Sequence, residues 1–159
     1  LKHCLKNISN YGTQITQIEQ IITEVMQNSN YIHSGITEKI IKCFYKVCNE
    51  LGYGFLEKVY QNALYYELRS SGLFCEAQKS IKVFYSDILV GEYFADIIVN
   101  KEVILELKAA EAIAEEHEFQ LINYLKATEI EIGLLLNFGK KPEIRRKIFT
   151  NDRSVSGNQ

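Results

Sequence analysis

Apolar positions along the chain fall into stretches of two different periods. Ile40, Ile41, Phe44, Val47, Cys48 and Leu51 recur at three- and four-residue spacing, the stripe of an amphipathic helix that Thr37 would cap and Gly52 would stop. After Gly52-Tyr53-Gly54, a break that glycine makes easy, a second helix is expected from Phe55 to Ser71, with Val59, Leu64 and Leu68 inward and Gly72 at its end. From Ile81 the period changes to two. Ile81, Val83 and Tyr85 alternate with Lys82 and Phe84, Ser86-Asp87 can turn, and Ile88 to Tyr93 can return with Gly91 as a bulge position. Two further strands, around Asp96 and around Glu106, complete an expected four-stranded meander. Ala112 to Thr128 reads as a helix with Leu121, Ile122 and Leu125 toward the core. Ile132 to Phe138 is nearly continuous and apolar, as in a strand covered on both faces, and Ile144 to Phe149 adds an edge strand. The order predicts an α/β fold, a central mixed sheet flanked by helices.

Three regions follow from the same pattern. Residues 1–35 form a polar extension in which Ile15, Ile18, Ile22 and Val25 mark a short helix over 14–27; residues 36–150 form the domain; residues 151–159 read as a disordered tail. The chain of 159 residues, 47% hydrophobic and 24% charged, has the composition of one ordinary soluble domain. No apolar run is long enough to span a bilayer and no signal-type apolar segment opens the sequence, so the expected compartment is the cytoplasm, with no membrane partner. Cys4, Cys43, Cys48 and Cys75 lack CxxC spacing and read as free thiols. A net charge of −2 argues against a protein that coats nucleic acid non-specifically, but leaves room for an enzyme with a local basic groove.

Chemistry concentrates in FADIIVNKEVILELKA, from Phe94 to Ala109. Glu106 and Lys108 are two residues apart in a strand and share a face. A carboxylate and an ammonium among Val, Ile and Leu are costly to bury unless paired, hydrated or bound to an ion. Were Asp96 to lie across the hairpin from Glu106, the pair would offer hard oxygen ligands for Mg²⁺ or Mn²⁺, with Lys108 beside them. The register decides this. A two-residue loop at Asn100-Lys101 pairs Val99 with Glu102 and puts the two carboxylates on opposite faces; one more residue, or a bulge, sets Asp96 opposite Glu106.

Gln120 and Tyr124 share a face of the following helix, with His117 one turn earlier. His117, amid Glu115, Glu116 and Glu118, reads as a solvated or paired histidine. Glu57, in the first turn of its helix, reads from position alone as a compensation of the helix N-terminus. Lys79, Lys82, Lys126, Lys140, Lys141, Arg145, Arg146 and Lys147 are either phosphate contacts or, for the C-terminal run, a solvated face.

Asp96, Glu106-x-Lys108 and Gln120-x-x-x-Tyr124, in that order and spacing, resemble the motif set of the PD-(D/E)xK nuclease superfamily, its RecB-like branch in particular. Gly54-Phe55-Leu56-Glu57-Lys58-Val59-Tyr60 resembles the signature of its small GxxExxY family, and the likeness runs from about Ile36 to Phe149 with the flanks VILELKA, HEFQLINYLK and GLLLNFG. The resemblance implies a restriction-endonuclease-like fold and a Mg²⁺- or Mn²⁺-dependent nuclease acting on DNA. It implies Asp96 and Glu106 as metal ligands, Glu57 as a further acidic ligand or acceptor, Lys108 at the water or phosphate, and Gln120 and Tyr124 as orienting groups. Phe94 departs from the pattern where many relatives carry a basic residue. The alternatives are a catalytically inactive nucleic-acid or protein-binding module on the same fold, and a plain Glu106–Lys108 ion pair on a solvated sheet face.

Overall fold

The structure, a computed structural model, describes Gln20 and residues 34–150. Of the helix expected over 14–27 only Gln20 is therefore described, and the tail 151–159 lies outside the described residues. Helices α1 (Ser34–Leu51) and α2 (Glu57–Ser70) precede strands β1 (Cys75–Tyr85), β2 (Ile88–Val99) and β3 (Val103–Lys108). Helix α3 (Glu115–Lys126) and strands β4 (Ile132–Asn137) and β5 (Glu143–Ile148) follow. The five strands make one sheet in the order β1-β2-β3-β4-β5. Only β3 and β4 pair in parallel, because α3 carries the chain back over the sheet between them.

Alternation along the strands gives the sheet two apolar faces. On one, Ile40 and Phe44 of α1 and Leu64 and Leu68 of α2 pack with Ile97, Val99, Leu105 and Leu134. On the other, Leu121 and Leu125 of α3 pack with Ile98, Ile104 and Leu135. Each fully buried aliphatic side chain contributes roughly 1.5–3 kcal/mol, against roughly 0–1 kcal/mol for an exposed ion pair such as Lys42–Glu38. The two faces, rather than surface ion pairs, hold the helices on the sheet. Tyr60 and Phe138 stack with ring centroids 4.6 Å apart, and Phe44 meets Phe138 edge-on at 4.7 Å, joining both helices to the end of β4.

Several elements differ from the periodicity-based expectation. Helix α1 starts at Ser34 because Ile36 extends its apolar stripe by a turn, so Thr37 is buried inside the helix instead of capping it. Val59 is 39% exposed, while Leu64 and Leu68 are buried as expected. Gly72 does end α2: at φ +80° it lets its own N–H reach the Arg69 carbonyl at 3.0 Å and the Leu73 N–H reach the Leu68 carbonyl at 3.1 Å. The meander has three strands, not four, since Ile88 to Val99 is a single strand paired along nearly all of β1. Its bulge lies at Val90, between the Val83–Gly91 and Phe84–Leu89 pairs. Ser86 and Asp87 turn with both φ values positive, the hairpin geometry that matches strand twist. Cys43, Cys48 and Cys75 are free thiols. No helix among the described residues is long and apolar enough to cross a membrane.

Candidate active site

The β2–β3 connection resolves the register. Asn100 and Lys101, at φ +51° and +61°, form the tight turn, and Glu102 N–H donates to the Val99 carbonyl at 2.9 Å. Yet the strand partner of Val99 is Val103, so Glu102 and Val103 both oppose Val99, as in a bulge. Ile98 then pairs with Ile104 and Ile97 with Leu105. One residue further, Asp96 falls opposite Glu106, the register that lets two acidic groups share a face.

There β2 leaves the ladder, and side chains fix the departure. Asp96 Oδ2 accepts the Leu107 N–H at 2.8 Å, and its Oδ1 accepts the Gln78 amide at 3.2 Å. Gln78 itself sits at φ +51°, a bend in β1 beside Asp96. From below, the Gln61 amide of α2 donates to the Asp96 carbonyl at 2.8 Å, and Lys58 Nζ donates to Gln61 Oε1 at 2.7 Å. Gln61 is buried, and both ends of its amide are engaged in holding the Asp96 backbone to α2.

Glu106 is only 3% exposed. Lys108 Nζ donates to its Oε1 at 2.7 Å, while its buried Oε2 has no hydrogen-bond partner. Burial first, then the negative charges of Asp96 and Glu57, push the Glu106 carboxyl up to about 7 despite Lys108. For Lys108 burial pulls the ammonium down, but the Glu106 hydrogen bond and the charges of Glu106, Glu57 and Asp96 outweigh it, and the net shift is upward. A solvated ion pair on an open sheet face is thereby excluded.

Glu57 reaches this cluster from the start of α2. Burial raises its carboxyl, the Asp96 charge adds to that, and Lys108, His117 and a hydrogen bond from the Ala109 N–H oppose it. His117 accepts the Ala114 N–H at Nδ1 (3.2 Å), closing the first turn of α3 and leaving Nε2 to carry its ring proton. Gln120 donates to the Tyr124 hydroxyl at 2.6 Å, and Tyr124 rises through burial first, with Glu106 and Asp96 adding to the shift. Glu57, Asp96, Glu106, Lys108, Gln120 and Tyr124, drawn from four elements, thus occupy one neighbourhood. A ready three-carboxylate cage is not among them: among the described residues no three His, Cys, Asp or Glu groups form a metal-holding set. Asp96, Glu106 and Glu57 each accept from a donor of the chain. The orphaned Glu106 oxygen, next to the charges of Asp96 and Glu57, nevertheless suits a hard divalent cation.

Two positions that shape the site's border escaped the pattern reading. Asn137, fully buried at the end of β4, accepts the Ala110 N–H at 3.0 Å and donates to the Ala110 carbonyl at 3.0 Å. Phe138 N–H donates to the Lys108 carbonyl at 2.7 Å. Together they staple the segment after Lys108 to β4. Gly139 allows it: a Cβ there would lie 2.1 Å from the Ala110 carbonyl oxygen. The signal available in the sequence was a lone Asn closing an apolar run. Of the basic candidates, Lys79 pairs with Glu76, Arg145 with Glu118 and Glu143, and Lys147 with Glu118. Lys82 and Lys126 line a hollow with Tyr93, and Lys140 and Lys141 line another beside Ala109.

A mixed five-stranded sheet between helices, with an acidic group and a lysine at the end of its third strand and a second acidic group on the strand beside it, is the architecture of a nuclease-type α/β domain. The chain belongs to the PD-(D/E)XK nuclease superfamily, the family of that description matching residues 34–147. No curated protein matches. Among solved structures, one titled "Crystal structure of SSO0001" is similar at a TM-score of 0.46 and 16% identity, over 87% of this chain and 80% of that one.

Proposed function

We propose that the chain is a metal-dependent nuclease that hydrolyses phosphodiester bonds of DNA, on the GxxExxY, RecB-like pattern of its sequence. The observation that carries this reading is Glu106, a carboxylate 3% exposed with one oxygen on Lys108 and the other without a partner. A buried anion left half satisfied is costly, and a divalent ion such as Mg²⁺ or Mn²⁺ satisfies hard oxygen ligands. Asp96 and Glu106 would hold it, with Glu57 as the further acidic ligand or acceptor. When bound, such an ion supplies a Lewis acid and a source of hydroxide near neutral pH.

The chain's own groups do the rest. Lys108 keeps its proton and is held at 2.7 Å by Glu106, so it presents a fixed positive charge where charge develops on a phosphoryl group. The hydrogen bond from Gln120 to Tyr124 fixes two polar heads on the α3 side, positioned to orient substrate or Lys108. Gln61 and Gln78 keep Asp96 in place from two sides.

The test is a cleavage assay with labelled single- and double-stranded DNA and RNA, in Mg²⁺, Mn²⁺ or chelator. DNA is cut only with metal. Asp96→Asn and Glu106→Gln fall to background with a melting temperature close to wild type, and Lys108→Ala loses roughly 10²–10³-fold in rate. A wild type that cuts no nucleic acid with any metal, or an Asp96→Asn variant that cuts as well as wild type, overturns the reading. The binding-only alternative forecasts nucleic-acid binding without turnover and indifference to metal.

A further inference from the structure

We propose that the hollow at the C-terminal ends of β3 and β4 is a subsite for an unpaired nucleotide next to the scissile phosphate, its base stacked on Tyr53 and its phosphates held by Lys140 and Lys141. This rests on the nuclease reading above for its place in a reaction, not for the binding itself.

The hollow has a volume of about 490 Å³ and is walled by Tyr53, Ala109, Ala110 and Gly139, with Lys140 and Lys141 at its rim. That is within the size of clefts that enclose small ligands, about 300–1,000 Å³. It is continuous with the acidic cluster: Ala109 both lines it and gives its N–H to Glu57, and directly follows Lys108. A strand with its scissile phosphate at Lys108 therefore has its neighbouring nucleotide at this opening.

The chemistry of the walls is that of a base platform. Tyr53 is 63% exposed, an aromatic face beside two ammoniums. Lys140 and Lys141 are exposed and, unlike Lys79, Arg145 and Lys147, have no ion pair among the described residues, so their charge is uncommitted. The opposite wall is backbone of Gly139 and Ala110, packed so closely that a Cβ at 139 would lie 2.1 Å from the Ala110 carbonyl oxygen. Glu111, also on the lining, repels phosphate on its side and can accept from an exocyclic base amine. Stacking on a tyrosine needs an open base face, which a nucleotide inside a duplex does not offer; a single strand, a flap or an overhang does.

Binding is read by fluorescence anisotropy in chelator, so that turnover plays no part, with labelled oligothymidylate and a blunt hairpin duplex as probes. Wild type binds the single strand more tightly than the duplex. Tyr53→Ala weakens single-strand binding about tenfold, the scale of one lost base–aromatic stack, with duplex binding unchanged, while Tyr53→Phe binds as wild type. The double variant Lys140→Ala/Lys141→Ala reduces the slope of log K against log salt by about 1.4, two phosphate contacts on a single strand. Tyr53→Ala binding the single strand as wild type does, or the duplex matching it in affinity, overturns the proposal. A protein that binds this way but never cleaves sinks the nuclease reading alone; one that cleaves with metal but ignores Tyr53→Ala sinks the subsite alone.

Discussion

Glu106 commits one oxygen to Lys108 and leaves the other without a donor, while the charges of Asp96 and Glu57 act on the carboxyl. Its burial raises the carboxyl from an ordinary 4.5 to about 7, so between those pH values the folded chain holds a proton that the unfolded chain has released. Stability therefore falls as pH rises through that window and levels above it, with the full contribution present below about 4.5. At about 1.36 kcal/mol per pKa unit the change is roughly 3 kcal/mol for metal-free protein. Urea unfolding at a series of pH values checks this: Glu106→Gln flattens the slope, and a wild type without the slope contradicts the assigned burial. The sequence pointed to Asp96, Glu106 and Lys108 because charges inside apolar strands demand an explanation. Glu57 was ambiguous by position, since any carboxylate favours a helix N-terminus, and only the Ala109 N–H and the nearby charges tie it to the site.

The segment between β3 and α3 is held by Asn137 and by the backbone approach at Gly139. Gly139→Ala puts a methyl against a carbonyl that no rotamer change can move. The expected cost is about 1–3 kcal/mol, or a melting-temperature drop of about 2–4 °C per kcal/mol. Gly91→Ala is the control, because its Cβ meets Tyr93 and Val83 only at 3.6 and 3.8 Å, and thermal unfolding should barely distinguish it from wild type. Helices and apolar strands were legible because their periods differ. The start of β1 was not, since Glu76, Gln78 and Lys79 carry no apolar alternation, and neither was the union of two expected strands into β2. The register turned on one extra residue, Glu102, whose placement against Val99 depends on backbone geometry that side-chain types leave open.

At the scale of the molecule, a cation that binds the native acidic cluster and not the unfolded chain must raise stability. At a hundredfold excess over its dissociation constant, Mn²⁺ adds about 2.7 kcal/mol. Calorimetry should show the melting temperature climbing with Mn²⁺ for wild type and staying fixed for Glu106→Gln; no climb for wild type would remove the cation from the account. The α/β layering was readable from element order, because a helix between two strands forces a crossover. The hollow beside Ala109 was not, because Tyr53, Ala109 and Lys140 meet only once both β3 and β4 are in place.

The sheet also has two unequal borders. On β5, Arg145, Arg146 and Lys147 put charged side chains on alternate sides of the margin, two of them paired with Glu118, an edge that disfavours pairing with a strand of a like molecule, while β1 forms the opposite border. A fibre without end needs both borders of every sheet to pair. With one border guarded, sheet-to-sheet growth of this protein stops after a single step, however adhesive the exposed Phe84, Tyr85 and Ile88 at the far tip of the hairpin.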